Sequence, residues 1–518
     1  MQPIFCIHER KIQTTARPER GRKFFPYPLR LLIKETTNTS SRGLSAFPSR
    51  KAEISLDEKR SSFSGSIGFV LAAAGSAIGL GNLWRFPYLA AKNGGGLFLA
   101  VYLALLVTFG FTLLVTEVAI GRKTKSSPLM AYGKLHEKWK WIGVFAVVVP
   151  FLILPYYCVI GGWVLKYCVV FLTGQVAAAS ENGFFSGYIT STAEPLVFMA
   201  LYLFLTFFVV YREIDDGIEK FSKLLMPVLL LIVIGVALFS LTIRYDDGTV
   251  TRTGMDGLAV YLIPNLDGLT AGGFMSVLLA AMGQLFFSIS VAMGIMITYG
   301  SYFKDRGNIF TSVWQIGIFD TAVAILAGLM TVVPIYVLMG QEGMNASGPS
   351  LLFVAMPKTF HSMGFTGTVV GAAFFIMAFF AALTSSISIM EAVVSSMMER
   401  LSVSRKKAAV IESLVAFAIG AVVCFGYNLL YFEIPLPNGS VGQVLDVLDY
   451  ISNGLLMPVV EIGTCLLIGW ALTPDVVIDE ATKNGEPFGQ KGMFKTMIRF
   501  IAPILLTVLL LQSLGSIG

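Results

Sequence analysis

Eleven apolar runs recur along the chain, each long enough to cross a bilayer as a helix of about 20 residues. Hydrophobic residues make up 55% of the 518 residues and charged residues 14%, whereas a soluble domain averages about 25% charged residues. The sequence therefore predicts an all-α integral membrane protein embedded in the lipid bilayer. The predicted spans are 66–91, 97–121, 141–173, 196–211, 221–243, 273–302, 308–340, 366–398, 407–428, 443–470 and 494–514.

Basic residues are concentrated in every second loop between these runs. Because cytoplasmic loops carry an excess of Lys and Arg, we predict that these loops are cytoplasmic and that the protein lies in the plasma membrane. With an odd number of spans, the N-terminus is then cytoplasmic and the C-terminus extracellular. The predicted cytoplasmic loops carry Arg122, Lys123, Lys125, Lys134, Lys138, Lys140, Arg212, Lys220, Lys223, Lys304, Arg306, Arg400, Arg405, Lys406, Lys407, Lys483, Lys491 and Lys495. The opposite loops carry Arg244, Arg252 and Lys358.

The residues present argue against several classes of function. The five cysteines and three histidines are scattered, without the spacing of a metal or redox site. The sequence has no glycine-rich phosphate-binding loop of an ATP-driven pump. The net charge of +6 comes from loop lysines and arginines rather than from a nucleic-acid-binding surface. We therefore predict neither an enzyme nor a nucleic-acid-binding protein.

Residues 1–60 differ from the rest of the chain because they are polar and basic and contain no spanning run. Two interpretations stay open for this segment. It is either a disordered cytoplasmic tail or an extension that arises from a start codon assigned too far upstream. Neither interpretation gives the segment any chemistry.

The first ten spans divide into two sets of five. An odd number of spans in each half gives the two halves opposite orientations in the membrane. We predict a first five-helix repeat at 61–245, an extracellular loop at 246–272 and a second five-helix repeat at 273–470. A cytoplasmic loop and the eleventh helix then occupy 471–518.

Each half begins with an interrupted helix. Gly75-Ser-Ala-Ile-Gly-Leu-Gly-Asn-Leu-Trp-Arg-Phe-Pro87 interrupts the first span, and Ser288-Ile-Ser-Val-Ala-Met-Gly294 interrupts the sixth. Backbone groups in hydrocarbon need partners, so a broken helix persists only where it is buried in protein or lines a cavity. Close helix packing through Gly75 and Gly79 is the alternative, but it does not account for a second break at the matching position. The pair of breaks indicates a transport site at the interface of the two repeats.

The residues at these breaks resemble motifs of the neurotransmitter:sodium symporter family, especially of its bacterial amino-acid members. Gly79-Leu-Gly-Asn-Leu-Trp-Arg-Phe-Pro87 and Asn93-Gly-Gly-Gly96 resemble the first-helix signature. Gly283-Gln-Leu-Phe-Phe-Ser-Ile-Ser290 resembles the sixth-helix motif, and Thr384-Ser-Ser386 the eighth. The match runs in order from Arg60 to Trp470. It implies the LeuT-type fold, a five-plus-five inverted repeat with discontinuous first and sixth helices, here with eleven transmembrane helices.

The resemblance implies two sodium (Na+) sites, of which the first lies beside the substrate. It would use the Ala77 carbonyl, the side chains of Asn82, Ser288 and Asp320, and the substrate carboxylate. Oxygen ligands of this kind suit a hard cation.

The second implied sodium site joins the first span to the eighth. It would use the carbonyls of Gly75, Ile78 and Ala381 and the hydroxyls of Thr384 and Ser385. The three residues of the eighth span share one helical face at i, i+3 and i+4. Back-bonding of the two hydroxyls to their own helix is the alternative.

The resemblance also places an amino-acid substrate at the two breaks. Donors to its carboxylate would be the N–H groups of Leu80 and Gly81 and the hydroxyl of Tyr157. Acceptors from its ammonium group would be the carbonyls of Ala77, Phe287 and Ser288 and the hydroxyl of Ser290. The pocket around its side chain would be lined by Gly79, Ile153, Tyr157, Ile160, Phe287, Met293, Ser385, Ser388 and Ile389. This uncharged lining favours a neutral, hydrophobic or aromatic L-amino acid and does not choose among leucine-like, tyrosine and tryptophan side chains.

Two single positions narrow the class of substrate and the set of ions that transport requires. Monoamine carriers of the family have an Asp where this chain has Gly79, so Gly79 favours a substrate that brings its own carboxylate. Asp320 stands where the family commonly has Asn, and Ala324 stands where chloride-dependent members have Ser. We expect Asp320 to supply the negative charge itself, near Tyr102 and Gln284, so that transport needs no chloride. An ordinary hydrogen-bonded buried acid is the alternative, and proton antiport through Asp320 is a subsidiary hypothesis.

Gates follow from the resemblance on both sides of the site. The external gate would be the pair Arg85 and Asp449, with Tyr157 and Phe287 as the lid beneath it.

The internal gate would be the pair Arg60 and Glu399, supported by Phe63 and Tyr302. Glu399 replaces the Asp that is usual there and keeps its charge. Exposed ion pairs contribute only about 0–1 kcal/mol, which suits gates that open in every cycle.

The sequence therefore predicts a sodium-coupled symporter that imports an amino acid by alternating access. A carrier of a monoamine or of a small zwitterionic osmolyte is the alternative within transport. A receptor that binds an amino acid without moving it is the alternative outside transport, and the internal-gate residues argue against it.

Overall fold

A computed structural model describes residues 62–343 and 348–516. The basic segment at 1–60, including the predicted gate residue Arg60, lies outside these described residues.

Ten helices in the described residues are long and apolar enough to cross a membrane, and one bent pair brings the number to eleven. The bent pair is Ser66–Ala77 and Gly81–Lys92, whose axes differ by 54°. We call it the first span, and the others follow in chain order: Gly96–Thr124, Glu137–Leu172, Glu194–Tyr211, Asp215–Ser240, Ala271–Ser288, Ile309–Gln341, Gly364–Leu401, Arg405–Phe425, Val444–Leu472 and Lys491–Ser513. The sixth span resumes after its break as Ile295–Tyr302. The predicted eleven spans and both predicted breaks are present.

Short elements connect the spans. The short helices are Pro128–Leu135, Val176–Ser180, Phe184–Thr190, Gly254–Leu262, Leu351–Ala355, Met356–Ser362 and Asp475–Ala481. Two antiparallel pairs of strands complete the described secondary structure: Arg244–Asp246 with Thr251–Thr253, and Ile434–Pro435 with Val441–Gly442.

The first span breaks because Ile78 leaves the helical conformation, with ψ at 91°. Its N–H still donates to the Ala74 carbonyl at 2.8 Å, which closes the last helical turn. The next helix begins at Gly81. The Asn82 N–H in its first turn donates to the Gly79 carbonyl at 3.2 Å. The residues between the two half-helices therefore expose backbone groups inside the protein, as helix ends do.

The break in the sixth span is more strained. Ser290, Ala292 and Gly294 all have positive φ, at 55°, 64° and 68°. A non-glycine residue in this region costs about 1–3 kcal/mol, so Ser290 and Ala292 need support from their surroundings. Part of that support comes from the second span, where the Glu117 carboxylate accepts the Ala292 N–H at 2.7 Å.

Glycines bring the second span and the resumed sixth span into backbone contact. A Cβ on Gly121 would stand 2.1 Å from the Ile297 carbonyl oxygen, and one on Gly300 would stand 2.5 Å from that of Val118. Small residues at a helix crossing allow this approach within a membrane. The two helices therefore form one closely packed unit beside the breaks.

The third and eighth spans pack along the opposite side of the breaks. Phe171 and Phe375 join them with ring centroids 4.8 Å apart, and Tyr167 lies 5.3 Å from Phe375. The fourth span is tied to the eighth where the Tyr202 hydroxyl donates to Ser386 at 3.1 Å. The site thus lies between two packed groups of helices.

Candidate functional site

A small cavity lies between the two helix breaks. Backbone of both breaks and side chains of the third and eighth spans form its wall, and no lining residue is charged. The lining residues are Ser76, Ala77, Gly79, Leu80, Gly81, Asn82, Ile153, Tyr157, Phe287, Ser288, Ser290, Met293, Ile295, Ser385 and Ile389.

Most residues of the predicted substrate site line this cavity, and Ile160 and Ser388 do not. Ser388 turns to its own helix and to the sixth span: its hydroxyl donates to the Thr384 carbonyl at 3.0 Å and accepts from Tyr299 at 2.7 Å. Ile160 is buried one helical turn beyond Tyr157, outside the lining. The cavity also includes Ser76 and Ile295, which the sequence-based set omits.

Tyr157 brings a polar group into the cavity from the third span. Its hydroxyl oxygen is buried and has no hydrogen-bond partner among the described residues. A buried hydroxyl without a partner is costly, because it has left water and gained nothing in return. It lies 3.2 Å from where a Cβ on Gly79 would stand, so the missing side chain of Gly79 leaves room beside it.

The predicted first sodium site is a cluster of side-chain oxygens around Asp320. The Asp320 carboxylate accepts from Asn82 Nδ2 and from Ser288 Oγ, each at 2.8 Å, and from the Tyr102 hydroxyl at 3.3 Å. Ser288 Oγ also lies 3.3 Å from Asn82 Oδ1. Four oxygen-bearing side chains from four different spans therefore meet beside the cavity. Such a set fits a hard monovalent cation.

Asp320 is completely buried, and so is Ala324 one turn further along the seventh span. Gln284 lies close by: its Nε2 donates to the Gly81 carbonyl at 3.3 Å, and its Oε1 has no partner among the described residues. The Ala324 methyl group offers an anion no hydrogen-bond donor. The carboxylate of Asp320 therefore carries the only formal negative charge in this cluster of residues.

The predicted second sodium site also has its oxygens together. Ser385 Oγ lies 3.0 Å from the Ser76 carbonyl, 3.1 Å from that of Ala381 and 3.4 Å from that of Ile78. Thr384 Oγ1 donates to the Ala381 carbonyl at 3.1 Å. Both hydroxyls thus donate to a carbonyl of their own helix, as the back-bonding alternative predicts.

Gly75, a predicted ligand of the second sodium site, allows the first and eighth spans to approach closely. A Cβ at this residue would lie 3.2 Å from Thr384 Cβ, so the first and eighth spans touch here.

The predicted external gate residues face each other without direct contact. Asp449 Oδ1 accepts from the Tyr156 hydroxyl at 3.1 Å and from Asn453 Nδ2 at 2.6 Å. The guanidinium of Arg85 lies over the Phe287 ring, 5.5 Å from its centroid. Arg85 thus covers the cavity through Phe287, while Tyr156 and Asn453 hold Asp449 in place.

On the opposite side, Glu399 and Tyr302 each form hydrogen bonds with other described residues. Glu399 accepts the Ser127 N–H at 2.6 Å and lies 3.8 Å from the Lys134 ammonium. The Tyr302 hydroxyl donates to Glu391 at 2.7 Å, and its carbonyl accepts the Phe63 N–H at 3.3 Å.

Glu391 is the residue on this side that the sequence analysis missed. It is completely buried on the eighth span and receives two N–H groups of Arg405, at 2.5 and 2.9 Å. With Tyr302 it forms a charged link between the sixth span and the eighth and ninth. A buried glutamate within a predicted span was the available signal, because such residues are rare unless paired or functional.

Comparison with known proteins agrees with these features. The sequence model described as the sodium:neurotransmitter symporter family matches residues 60–187 and 185–517. The chain is 32% identical over 467 residues to an uncharacterized sodium-dependent transporter, YhdH, of Bacillus subtilis, covering 89% of this chain and 99% of that protein. It is 26% identical over 466 residues to the human sodium- and chloride-dependent GABA transporter 2, covering 80% of this chain and 73% of that protein.

Among solved structures, the chain resembles MhsT in complex with L-phenylalanine. The sequence identity is 33%, the TM-score is 0.76, and the match covers 88% of this chain and all of that one. The predicted all-α LeuT-type membrane fold is therefore confirmed. The chain belongs to the sodium:neurotransmitter symporter family, and it is a sodium-dependent transporter rather than an enzyme.

Proposed function

We propose that this symporter imports a neutral, hydrophobic or aromatic L-amino acid together with sodium, and that it needs no chloride. The observation that carries the proposal is the cavity at the two helix breaks, with an uncharged lining and the unpartnered hydroxyl of Tyr157. Free N–H groups at a half-helix start attract a carboxylate, and free carbonyls at a half-helix end attract a cation. An amino acid carries both of the required charges.

The lining supports an apolar side chain on the substrate. Ile153, Met293, Ile295 and Ile389 contribute aliphatic or thioether surface, and Phe287 contributes an aromatic face. Methionine adapts its shape to different partners, which suits both branched and aromatic side chains. The similarity to a structure that contains L-phenylalanine supports the same class of substrate.

Gly79 supports an amino acid over a monoamine. An acidic side chain there would run into Ser385 Oγ and the Tyr157 hydroxyl, at 2.9 and 3.2 Å from its Cβ. The carboxylate that an Asp at this position supplies in monoamine carriers must then come from the substrate.

Asp320 supports independence from chloride. A carboxylate within 2.8 Å of Asn82 and Ser288 supplies a fixed negative charge beside the first sodium site, and Ala324 offers an anion no ligand. The human relative is described as chloride-dependent, so this is a point at which we expect the two proteins to differ.

The rest of the proposal concerns topology and energy. We propose two inverted repeats at 61–245 and 273–470, a cytoplasmic N-terminus and an extracellular C-terminus. The membrane potential supplies about 2.3 kcal/mol per 100 mV for each sodium ion that enters, and two ions would double this.

A screen of the twenty amino acids by thermal shift, with sodium and with potassium in its place, tests the proposal. We expect phenylalanine, leucine or another neutral apolar amino acid to raise Tm only in sodium. Charged amino acids and monoamines serve as controls and should have no effect. Stabilisation by a monoamine or an osmolyte, and by no amino acid, would contradict the proposal.

Chloride is tested by vesicle uptake with gluconate in its place. The expected rate is unchanged, and a collapse of uptake would refute chloride independence.

A further inference from the structure

A buried acid on the fifth span meets the start of the first span, away from the cavity described above. Glu219 Oε2 accepts the Ser64 N–H at 2.7 Å, and its Oε1 accepts the Ser64 hydroxyl. Ser64 lies two residues before the helix Ser66–Ala77, the first half of the broken first span. The N-cap of this half-helix is Gly65, which has no side chain to cap it. Glu219 therefore supplies, from another span, the negative charge that a helix N-terminus favours.

Two lysines hold the same point of the chain. Lys223, one turn further along the fifth span, pairs with Glu219 at 2.6 Å and donates to Ser64 Oγ at 3.1 Å. Lys304, which follows the resumed sixth span, donates to the Ser64 carbonyl at 2.7 Å. The N–H, the hydroxyl and the carbonyl of Ser64 are therefore all bonded to charged side chains from outside the first span.

Glycines let the fifth span lie directly against this half-helix. A Cβ on Gly68 would stand 2.2 Å from Glu219 Oε1, and one on Gly75 would stand 3.2 Å from Met226 Sδ. Gly68 and Gly75 are seven residues apart, and so are Glu219 and Met226, so about two turns of each helix run side by side. The contact is polar at Glu219 and apolar at Met226, next to the predicted sodium ligand Gly75.

We propose that Glu219 is a latch that holds the first half of the first span closed against the fifth span. Hydrogen bonds to a charged group are stronger than neutral contacts, so the bonds at Ser64 restrain the half-helix more than the apolar contact at Gly75 does. Lys223 is 44% exposed, so water reaches the latch from this end. The half-helix moves away from the fifth span only when Glu219 releases Ser64. Glu219 restrains this opening whichever substrate the protein carries.

Hydrogen exchange of the purified full chain in sodium, followed by mass spectrometry, tests the latch. Glu219→Gln keeps the size of the side chain and removes its charge, so we expect the amides of 66–77 to exchange roughly tenfold faster than in wild type. Glu219→Asp withdraws the carboxylate from Ser64 by one methylene and should speed the same amides less, which gives a second route if Glu219→Gln folds poorly. Asp216→Asn is the matched control, because it removes an exposed acid of the same segment and should leave this exchange unchanged.

The pattern of exchange separates a latch from a residue that only stabilises the fold. Faster exchange at 66–77, with wild-type exchange in the ninth span Arg405–Phe425, supports the latch. An equal increase in both regions would mean that Glu219 serves stability alone and would overturn the proposal. Wild-type exchange at 66–77 in both Glu219 variants would overturn it as well.

A sodium titration of the same exchange connects the latch to ion binding, and it rests on the predicted second sodium site. An ion that binds only the closed form suppresses opening in proportion to its concentration, so Glu219→Gln should need roughly tenfold more sodium than wild type to reach the same exchange rate. Faster exchange in Glu219→Gln that does not respond to sodium in either protein would contradict the sodium site at Gly75 and support the latch alone.

Discussion

At the scale of single residues, the proposed position of the substrate carboxylate depends on Gly79, which has no side chain to fill the space beside Tyr157 and Ser385. In Gly79→Ala the new Cβ would stand 2.9 Å from Ser385 Oγ and 3.2 Å from the Tyr157 hydroxyl. Overpacking of this kind costs about 1–3 kcal/mol, so we expect phenylalanine affinity to fall roughly 5- to 150-fold by equilibrium binding. Gly235→Ala is the matched control, since its Cβ would meet nothing within 4 Å. Equal phenylalanine affinity in Gly79→Ala and wild type would show that the substrate does not bind next to Gly79.

Asp320 is the second residue whose role a single substitution can test. Asp320→Asn keeps the shape and removes the charge, so we expect half-maximal binding to need roughly tenfold more sodium, consistent with about 1.5–3 kcal/mol for a contact with a charged group.

A companion variant tests the charge itself. Asp320→Asn combined with Ala324→Ser should regain sodium affinity only when chloride is present. Recovery without chloride, or unchanged sodium affinity in Asp320→Asn alone, would show that the carboxylate is not the compensating charge.

At the scale of helices, the predicted second sodium site would be formed at the contact between the first and eighth spans. Thr384→Val preserves shape and removes one hydroxyl ligand, so we expect the Hill coefficient for sodium to fall from about two towards one. Thr331→Val is the control, because Thr331 is a buried threonine bonded to the Ala327 carbonyl of its own helix, as Thr384 is to that of Ala381. A Hill coefficient that is unchanged in Thr384→Val would mean that this hydroxyl only back-bonds.

Much of this level of structure could be predicted from the sequence. Apolar runs predict the spans because the bilayer fixes their length. Gly79, Asn82 and Ser290 indicate the breaks because non-helical backbone at membrane depth occurs only where it is buried in protein or lines a cavity. The partners of Asp449, namely Tyr156 and Asn453, were not predictable in the same way. The Tyr156 contact joins helices nearly 300 residues apart, and only packing brings those side chains together. The resemblance places Ile160 and Ser388 in the pocket, whereas neither residue lines the cavity in the structure.

At the scale of the whole molecule, alternating access requires the links between the two packed helix groups to open in turn. Tyr302 and Glu391 form such a link on the side that carries Phe63 and Glu399. Tyr302→Phe removes one hydrogen bond to a charged group, about 1.5–3 kcal/mol, so the population open on this side should rise roughly tenfold or more.

Hydrogen exchange followed by mass spectrometry measures this opening. In Tyr302→Phe, amides around Phe63 and Tyr302 should exchange faster in sodium than they do in wild type. Tyr202→Phe is the control, since it loses a buried bond to Ser386 that does not join the sixth and eighth spans. The same exchange pattern in both variants would mean that the Tyr302 link does not restrain opening.

Sodium-driven uptake into liposomes tests the central claim most directly. Purified protein reconstituted into vesicles, with sodium outside and potassium inside, should concentrate radiolabelled L-phenylalanine above its external level. An inside-negative potential should increase this accumulation, because each sodium ion gains about 2.3 kcal/mol per 100 mV. A sodium ionophore should abolish the accumulation, and gluconate in place of chloride should not. Accumulation that is equal with and without a sodium gradient would contradict sodium-coupled amino-acid transport.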